Sequence, residues 1–259
     1  MAGPVFDTHC HLTIGELAAD ADAVWDRARD SGVEGAVVIG IDAATSKDVV
    51  EFVANRDHLW GTVGVHPNET AKATESDWET IQQLATCDKI VALGETGLDR
   101  YWDDAPLATQ IASLRRHATF AIEIDLPIVL HLRDAFQPAI ETLEPFAARG
   151  LRAVVHCFTG TEHDLRPFLD WGWMISYSGI LTYSGATALR AAAAATPLEQ
   201  CLIETDAPWL APAPHKSQDR NEPAFVVHTA RRLAKVKQLP FDELAAATTA
   251  NARRFFRLG

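Results

Sequence analysis

The sequence predicts a single (β/α)8 TIM barrel of the α/β class, and three observations support this fold. Eight short apolar runs rich in β-branched residues alternate with segments in which apolar residues recur at a helical period. The length of 259 residues suits one such barrel. Polar side chains follow almost every predicted strand, and in a barrel these strand ends share one rim. A doubly wound open sheet is the alternative, but it would spread the same side chains along an edge.

The predicted elements alternate from one end of the chain to the other. The strands are Val5–His9, Gly35–Ile39, Leu59–His66, Ile90–Glu95, Pro127–His131, Ala153–His156, Trp173–Ser178 and Cys201–Glu204. The helices are Leu17–Ser31, Ser46–Asp57, Asp77–Thr86, Leu107–Ile124, Ala135–Ala148, Glu162–Trp171, Ala186–Ala195, Pro223–Lys237 and Phe241–Phe256. Gly32, Gly150 and Gly172 indicate helix ends, and Pro106 and Pro223 indicate helix starts. Because no linker interrupts the pattern, we expect residues 1–259 to form one domain.

The composition is that of a globular protein with a large acidic excess. Hydrophobic residues make up 47% and charged residues 22%, and the net charge is −12 from 35 acidic and 23 basic residues. This charge argues against a broad basic nucleic-acid surface, although bound cations can supply positive charge locally. No apolar run reaches the ~18–20 residues of a transmembrane helix, and no signal-peptide pattern is present. Four scattered cysteines fit a reducing compartment, so we expect a cytoplasmic protein without a membrane partner.

Histidines and carboxylates at the predicted strand ends indicate a metal centre. His9 and His11 are two residues apart and therefore project to the same side of the first strand. Five of the ten histidines end or follow apolar strands, namely His9, His11, His66, His131 and His156. Glu95 ends the fourth strand and Asp206 follows the eighth. Neutral imidazoles and carboxylates suit divalent cations such as zinc, manganese or iron.

These side chains are numerous enough for two divalent ions. One ion can be held by His9, His11 and Asp206. The other can be held by His131 and His156, with Glu95 as a bridge. Paired ions lower the pKa of a bound water and neutralise a phosphoryl or carbonyl oxygen. Asp206 can also orient that water or take its proton, so Asp206 and Glu95 are the candidate catalytic residues.

Eight segments, in this order, resemble the TatD family of metal-dependent deoxyribonucleases within the amidohydrolase-like superfamily. They are Phe6–His11, Gly64–Pro67, Gly94–Asp99, His131–Ala135, His156–Gly160, Glu204–Pro208, Asn221–Pro223 and Thr249–Phe256. The resemblance implies that one ion is held by His9, His11, Glu95 and Asp206. It implies that the other is held by Glu95, His131 and His156. It also implies cleavage of DNA phosphodiester bonds, often from the 3′ end. We expect DNA with single-stranded ends as the substrate and two divalent ions, magnesium, manganese or zinc, as cofactors.

Side chains outside this ligand set are candidates for substrate binding. His66 can contact a phosphate, and Arg133, two residues beyond His131, can meet one with two hydrogen bonds. The Pro-rich loop after the eighth strand offers Lys216, Arg220 and Asn221. Loops on this rim of a barrel often hold anions, although a structural role is the alternative for each of these residues. Histidines outside the motifs, among them His117, are expected on helix surfaces.

The ligands do not by themselves fix the substrate. The same centre can hydrolyse an ester or amide, such as D-aminoacyl-tRNA or a small cyclic amide, because activated water attacks carbonyls as well as phosphorus. A non-catalytic metal-binding protein is a third interpretation. The sequence therefore predicts a metal-dependent hydrolase, with a TatD-like 3′–5′ exonuclease as the favoured activity. We expect a monomer with no obligate protein partner.

Overall fold

The computed structural model describes residues 3–217 and 220–258. Its strands form one eight-stranded sheet in which neighbours follow chain order. They are β1 (Val5–Cys10), β2 (Val33–Ile39), β3 (Leu59–Val63), β4 (Ile90–Asp99), β5 (Ile128–Arg133), β6 (Ala153–Val155), β7 (Met174–Tyr177) and β8 (Cys201–Ile203). The pairs β1–β2, β3–β4, β4–β5, β5–β6 and β7–β8 are parallel.

Helices alternate with these strands, as the predicted (β/α)8 fold requires. They are α1 (Gly15–Ala18), α2 (Ala21–Asp30), α3 (Ala43–Ala54), α4 (Glu75–Leu84), α5 (Leu107–Glu123), α6 (Phe136–Ala147), α7 (Glu162–Asp170), α8 (Thr187–Ala195), α9 (Val226–Lys237) and α10 (Phe241–Phe256). The (β/α)8 prediction is thereby confirmed. Among the helices of the described residues, none combines the length and apolarity needed to cross a bilayer.

The first predicted helix is interrupted. α1 ends at Ala18 and α2 begins at Ala21, and between them Asp20 has a non-helical φ of −137°. The Asp20 carboxylate accepts two hydrogen bonds from the guanidinium of Arg220, at 2.9 and 2.7 Å. The hydrophobic periodicity of Leu17–Ser31 carries no information about this long-range ion pair, and it therefore predicts one continuous helix.

The chain divides into two compact units, and the first contains the described residues of Met1–Val38, Cys157–Arg166 and Met174–Gly259. Its core includes the fully buried rings of Phe6, Phe158 and Tyr177. α10 packs against β1 and β8. The Thr8 hydroxyl of β1 donates to the Ile203 carbonyl of β8 at 3.0 Å, so the ends of these two strands are held side by side.

The second unit contains Ile39–His156 and Pro167–Trp173. β3, β4, β5 and β6 lie next to one another in it. Leu93 of β4 and Leu130 of β5 are fully buried, as are Ile81 of α4 and Leu114 of α5. All ten residues of β4 are buried, so this strand carries its polar residues Glu95 and Asp99 into the interior. Buried carboxylates need charged or hydrogen-bonding partners.

Candidate functional site

The first cluster consists of His9, His11 and Asp206, all in the first unit. His9 and His11 are 0% and 2% exposed, and their Nε2 atoms lie 3.1 Å apart. Each Nε2 is 3.5 Å from Oδ1 of Asp206. The alternation along β1 therefore brings the two imidazoles together, as the sequence predicts.

Backbone hydrogen bonds hold Asp206 against β1. The Asp206 N–H donates to the His9 carbonyl at 2.9 Å, and the His11 N–H donates to the Ala207 carbonyl at 2.8 Å. Asp206 adopts a left-handed φ of 57°. Among residues other than glycine this conformation is uncommon, and Asn and Asp adopt it more often than most. The loop after β8 is thus hydrogen-bonded to β1, with a bridge between Cys10 and Ala207, and it turns the carboxylate of Asp206 toward the two imidazoles.

Two buried side chains, Asp7 and Asn221, hold the loop after β8 in place. Asp7 accepts hydrogen bonds from the Thr205 N–H at 2.9 Å and the Thr205 hydroxyl at 2.6 Å. Burial raises the pKa of Asp7 to about 8, although these hydrogen bonds act to lower it. The Asn221 amide donates to the carbonyls of Thr205 at 2.8 Å and Trp209 at 2.6 Å, and Asn221 is 0% exposed. Asn221 therefore positions the loop, which corrects the expectation that it contacts substrate.

Arg220 is also committed to partners within the first unit. Its guanidinium pairs with Asp20 at 2.7 Å and with Glu222 at 3.0 Å. Arg27 donates two further hydrogen bonds to Glu222, at 2.8 and 2.7 Å. The hydrogen bonds from Arg27, together with those from Arg220, hold the pKa of Glu222 below its ordinary value. This network anchors the loop, and the 28% of the Arg220 side chain that is exposed leaves its predicted contact with substrate a prediction.

The second cluster consists of His66, Glu95, His131 and His156, all in the second unit. Oε1 of Glu95 is 2.8 Å from Nδ1 of His131 and 2.8 Å from Nε2 of His156. It is 3.7 Å from Nε2 of His66. Glu95 is only 3% exposed, so one buried carboxylate oxygen faces three imidazoles.

The backbone of β4 reaches this position because two glycines leave room for it. Gly94 has a φ of +134°, and a Cβ there would lie 2.6 Å from the Val129 carbonyl oxygen. A Cβ on Gly64 would lie 2.6 Å from Cα of Gly94. Only glycine therefore permits β3, β4 and β5 to approach one another this closely beside Glu95.

Asp99 belongs to the site, although it is not among the residues predicted from the sequence to bind metal or substrate. Its Oδ2 lies 3.1 Å from Nε2 of His131, and its Oδ1 accepts the N–H groups of Tyr101 and Trp102. Burial would raise the pKa of Asp99, but the hydrogen bonds from His131 and from these two N–H groups lower it to about 2. Strand alternation could have predicted that Asp99 belongs to the site, because Glu95 and Asp99 are four residues apart on β4 and project to the same side.

Asp99 also affects the pKa of His131 and determines which ring nitrogen carries its proton. Burial alone would lower the pKa of His131, but its hydrogen bonds to Asp99 and Glu95 raise it above the ordinary value. The ring therefore lies where positive charge is favoured. In the protonated ring Nε2–H donates to Asp99 and Nδ1–H donates to Glu95. With Nε2–H held by Asp99, Nδ1 is the nitrogen that would bind a cation once its proton is lost.

His66 also faces Glu95, and together with Glu95 and His131 it forms a group of side chains that could hold a metal ion. Its Nδ1 accepts a hydrogen bond from the Asn68 N–H at 3.2 Å, so the neutral ring carries its proton on Nε2. That nitrogen faces Glu95, and the ring packs edge-on against His131 with centroids 4.5 Å apart. An N–H in this position is a hydrogen-bond donor, which agrees with the predicted contact to a phosphate.

His117 lies in the interior, so its predicted surface position is wrong. It is 0% exposed on α5, its Nδ1–H donates to the Ser113 carbonyl at 2.8 Å, and its Nε2 accepts the Val65 N–H at 3.2 Å. Burial lowers the pKa of His117 to about 4. The neutral ring therefore fixes the chain just before His66.

Two of the predicted substrate contacts are exposed. The guanidinium of Arg133, at the end of β5, lies 4.6 Å from the ring centroid of Tyr101. Nζ of Lys216 lies 4.1 Å from the ring centroid of Tyr183. Neither position excludes a phosphate, so both residues stay predicted substrate contacts.

Each cluster has the donor set of a divalent-cation site. Bonds of ~2.1 Å to imidazole nitrogen place neighbouring ligands about 3 Å apart around a cation. The 3.1 Å between the two imidazoles of the first cluster and the two 2.8 Å contacts of Glu95 match that spacing. Buried imidazoles crowded against carboxylates are costly without a cation or protons among them, so the residues fit metal ions.

Comparison with known proteins places the chain in a family. A family model described as TatD related DNase matches residues 6–257. The chain belongs to the TatD family. It is 35% identical over 254 residues to the uncharacterized metal-dependent hydrolase YabD of Bacillus subtilis, covering 98% of this chain and 99% of YabD. It is also 35% identical over 259 residues to the 3′-5′ ssDNA/RNA exonuclease TatD of Erwinia tasmaniensis, covering 98% and 100%.

A solved structure of a TatD homolog has the same fold as this chain. YJJV, a TatD homolog of Escherichia coli K12, superimposes with a TM-score of 0.93 at 30% identity and covers 98% of both chains. The predicted family and the predicted enzyme class are confirmed: this TatD-family protein is a metal-dependent hydrolase. Its histidines and carboxylates form clusters that could bind metal. The number and identity of the ions, and the role of each ligand, stay predictions.

Proposed function

We propose that this TatD-family hydrolase is a 3′–5′ exonuclease that releases nucleotides from single-stranded DNA. The observation that carries the proposal is that buried and partly buried imidazoles and carboxylates lie together in groups that could hold metal ions. Support comes from the Erwinia tasmaniensis relative, whose name gives this polarity and a single-stranded DNA or RNA substrate. Nucleotide release is therefore tested on single-stranded RNA oligonucleotides as well as on single-stranded DNA oligonucleotides.

The proposal assigns two divalent ions, with magnesium, manganese and zinc as the candidates. One would be held by His9, His11, Asp206 and Glu95. The other would be held by Glu95, His131 and His156. This assignment rests on the family resemblance and on the donor set of each cluster. Two such ions would lower the pKa of a water and neutralise charge on the phosphate oxygens.

The protein's own side chains have separate roles in this proposal. The carboxylate of Asp206 is 13% exposed, so it can accept the proton of an attacking water. The Nε2–H of His66 donates a hydrogen bond to a phosphate oxygen, where negative charge increases during attack. Asp99 holds the proton of His131 on Nε2 and thereby keeps Nδ1 available as a ligand.

Charge and cysteine chemistry complete the proposal. A net charge of −12 repels a polyanion at long range, so binding depends on local contacts and on the ions. None of the four cysteines, which all lie among the described residues, forms a disulfide bond, and this supports action in a reducing compartment, the cytoplasm. We propose a monomeric enzyme, because each predicted ligand is supplied by this chain.

The test uses protein stripped of metal and reloaded with magnesium, manganese or zinc. We expect a 5′-labelled single-stranded oligonucleotide to shorten from its 3′ end, and a 3′-terminal phosphorothioate to block that shortening. His131→Ala should abolish the activity. His163→Ala, which changes an exposed histidine on α7, should leave it unchanged.

Parallel assays on D-aminoacyl-tRNA and on small amides decide between substrate classes. Faster ester or amide hydrolysis than nucleotide release, with any of the three metals, would contradict the proposal. Metal binding without turnover of any substrate would instead favour a non-catalytic protein.

A further inference from the structure

Two neighbouring aromatic side chains of the second unit are unusually exposed. Tyr101 and Trp102 are 54% and 56% exposed, and with Trp209 they are the large exposed hydrophobic residues of the described chain. Their rings meet edge to face, with centroids 4.8 Å apart. A single exposed aromatic residue is ordinary, but a fixed pair beside polar groups is typical of a surface that binds a ligand.

An uncompensated cation lies beside this pair. The guanidinium of Arg133 covers one face of Tyr101, at 4.6 Å from the ring centroid. Within residues 3–217 and 220–258 Arg133 has no ion pair, whereas Arg27, Arg116 and Arg220 pair with carboxylates. Arg149 also lies over an aromatic ring without an ion pair in this part of the chain, but its partner Phe146 is not one of the exposed large hydrophobic residues. In a chain with a net charge of −12, an exposed guanidinium without an acid favours an anionic ligand.

The aromatic pair is tied to the second cluster by one carboxylate. Oδ1 of Asp99 accepts the N–H of Tyr101 at 2.8 Å and that of Trp102 at 3.1 Å, while its Oδ2 lies 3.1 Å from His131. The Arg100 N–H also donates to the Arg133 carbonyl at 2.9 Å. The two rings, the guanidinium and the proposed metal ligand are therefore held in one arrangement.

We propose that Tyr101, Trp102 and Arg133 form a nucleotide-binding surface for unpaired substrate. The more exposed ring, Trp102, stacks on a base, and Arg133 contacts the phosphate beside it. Tyr101, packed between these two residues, supports them. Stacking needs a base face that a duplex does not offer, so this surface selects single-stranded nucleic acid. The inference rests on the proposed function and adds the residues that recognise its substrate.

Binding is measured with manganese-loaded protein and a fluorescent phosphorothioate oligonucleotide that resists cleavage. Abasic sites are placed at one position after another, counted from the 3′ end. At one position the abasic site should weaken binding by the wild type about 5- to 150-fold, the range of one base–aromatic stack. Trp102→Ala should remove this penalty, and Trp102→Phe should keep part of it.

Arg133→Gln tests the phosphate contact. We expect the slope of log affinity against log salt to fall by about 0.7, the value for one contact to a single strand. The matched controls are Phe146→Ala and Arg149→Gln, which change another cation–aromatic pair of the second unit, at the end of α6. Both should bind like the wild type.

The results separate this inference from the proposed function. Equal abasic penalties in the wild type and Trp102→Ala, or no penalty at any position, overturn the nucleotide-binding surface even if DNA is cleaved. Failure to cleave any oligonucleotide, with the position-specific penalty present and lost in Trp102→Ala, overturns the exonuclease but retains the surface. An unchanged salt slope in Arg133→Gln overturns the phosphate contact.

Discussion

His117 provides a prediction about stability whose size follows from its burial. The ring is neutral in the folded protein, with a pKa of about 4, whereas an unfolded histidine titrates near 6.5. Between these values the unfolded chain binds a proton that the folded chain does not. The free energy of unfolding therefore falls as the pH is lowered from about 6.5 to about 4. Below pH 4 His117 is protonated in both states, so it causes no further loss of stability.

The expected magnitude follows from the two pKa values. Between pH 7 and pH 5 the unfolded histidine becomes almost fully protonated while His117 in the folded protein stays neutral. At 1.36 kcal/mol per pKa unit, this lowers the free energy of unfolding by about 2 kcal/mol. His117→Gln cannot titrate and should lack that share of the pH dependence. At pH 7 the variant should be less stable by about 1–3 kcal/mol, because the buried Val65 N–H loses its acceptor.

The assay is urea unfolding at pH 7 and pH 5 for the wild type, His117→Gln and His163→Gln. The wild type and His117→Gln share every titratable group except His117, so the contribution of the shared groups cancels in the difference between these two proteins. His163 is exposed on α7, and its substitution should leave the pH dependence unchanged. The reasoning is refuted if His117→Gln and the wild type lose the same stability between the two pH values.

Three further predictions concern the second cluster. Asp99→Asn should weaken metal binding about 10- to 100-fold by removing the charged partner of His131, whereas Asp104→Asn, at an exposed position, should not; calorimetric metal titration checks both. His66→Ala should lower kcat about 100-fold with metal content unchanged, and loss of an ion would show that His66 is a ligand instead. Gly94→Ala should cost about 2 kcal/mol or more in urea unfolding, because its Cβ would meet the Val129 carbonyl; Gly185→Ala, which meets nothing within 4 Å, is the control.

Strand periodicity explains what could be predicted from the sequence. Alternation on β1 brings His9 beside His11, and the ends of neighbouring strands bring Glu95 beside His131 and His156. These relations depend on local spacing and on the parallel arrangement of consecutive strands, which the sequence pattern encodes. The order of helices and strands was predictable for the same reason.

Other features depend on partners that are distant in the sequence. From the sequence Arg220 and Asn221 are expected to be exposed polar residues. In the structure Arg220 donates a hydrogen bond to Asp20, and the Asn221 amide donates one to the Thr205 carbonyl. His117 lies on a helix whose buried face includes it, and its acceptor role for the Val65 N–H cannot be read from its neighbours. Each of these contacts joins residues more than a dozen positions apart, so spacing along the chain carries no information about it.

The metal content of the protein tests most directly the claim that six side chains hold two divalent ions. Purified protein, loaded with manganese and separated from free metal, should contain two ions per chain by elemental analysis. His9→Ala and His156→Ala should each lower that content, while His163→Ala should keep both ions. One ion or none in the wild type, or two ions retained in both ligand variants, would contradict the account.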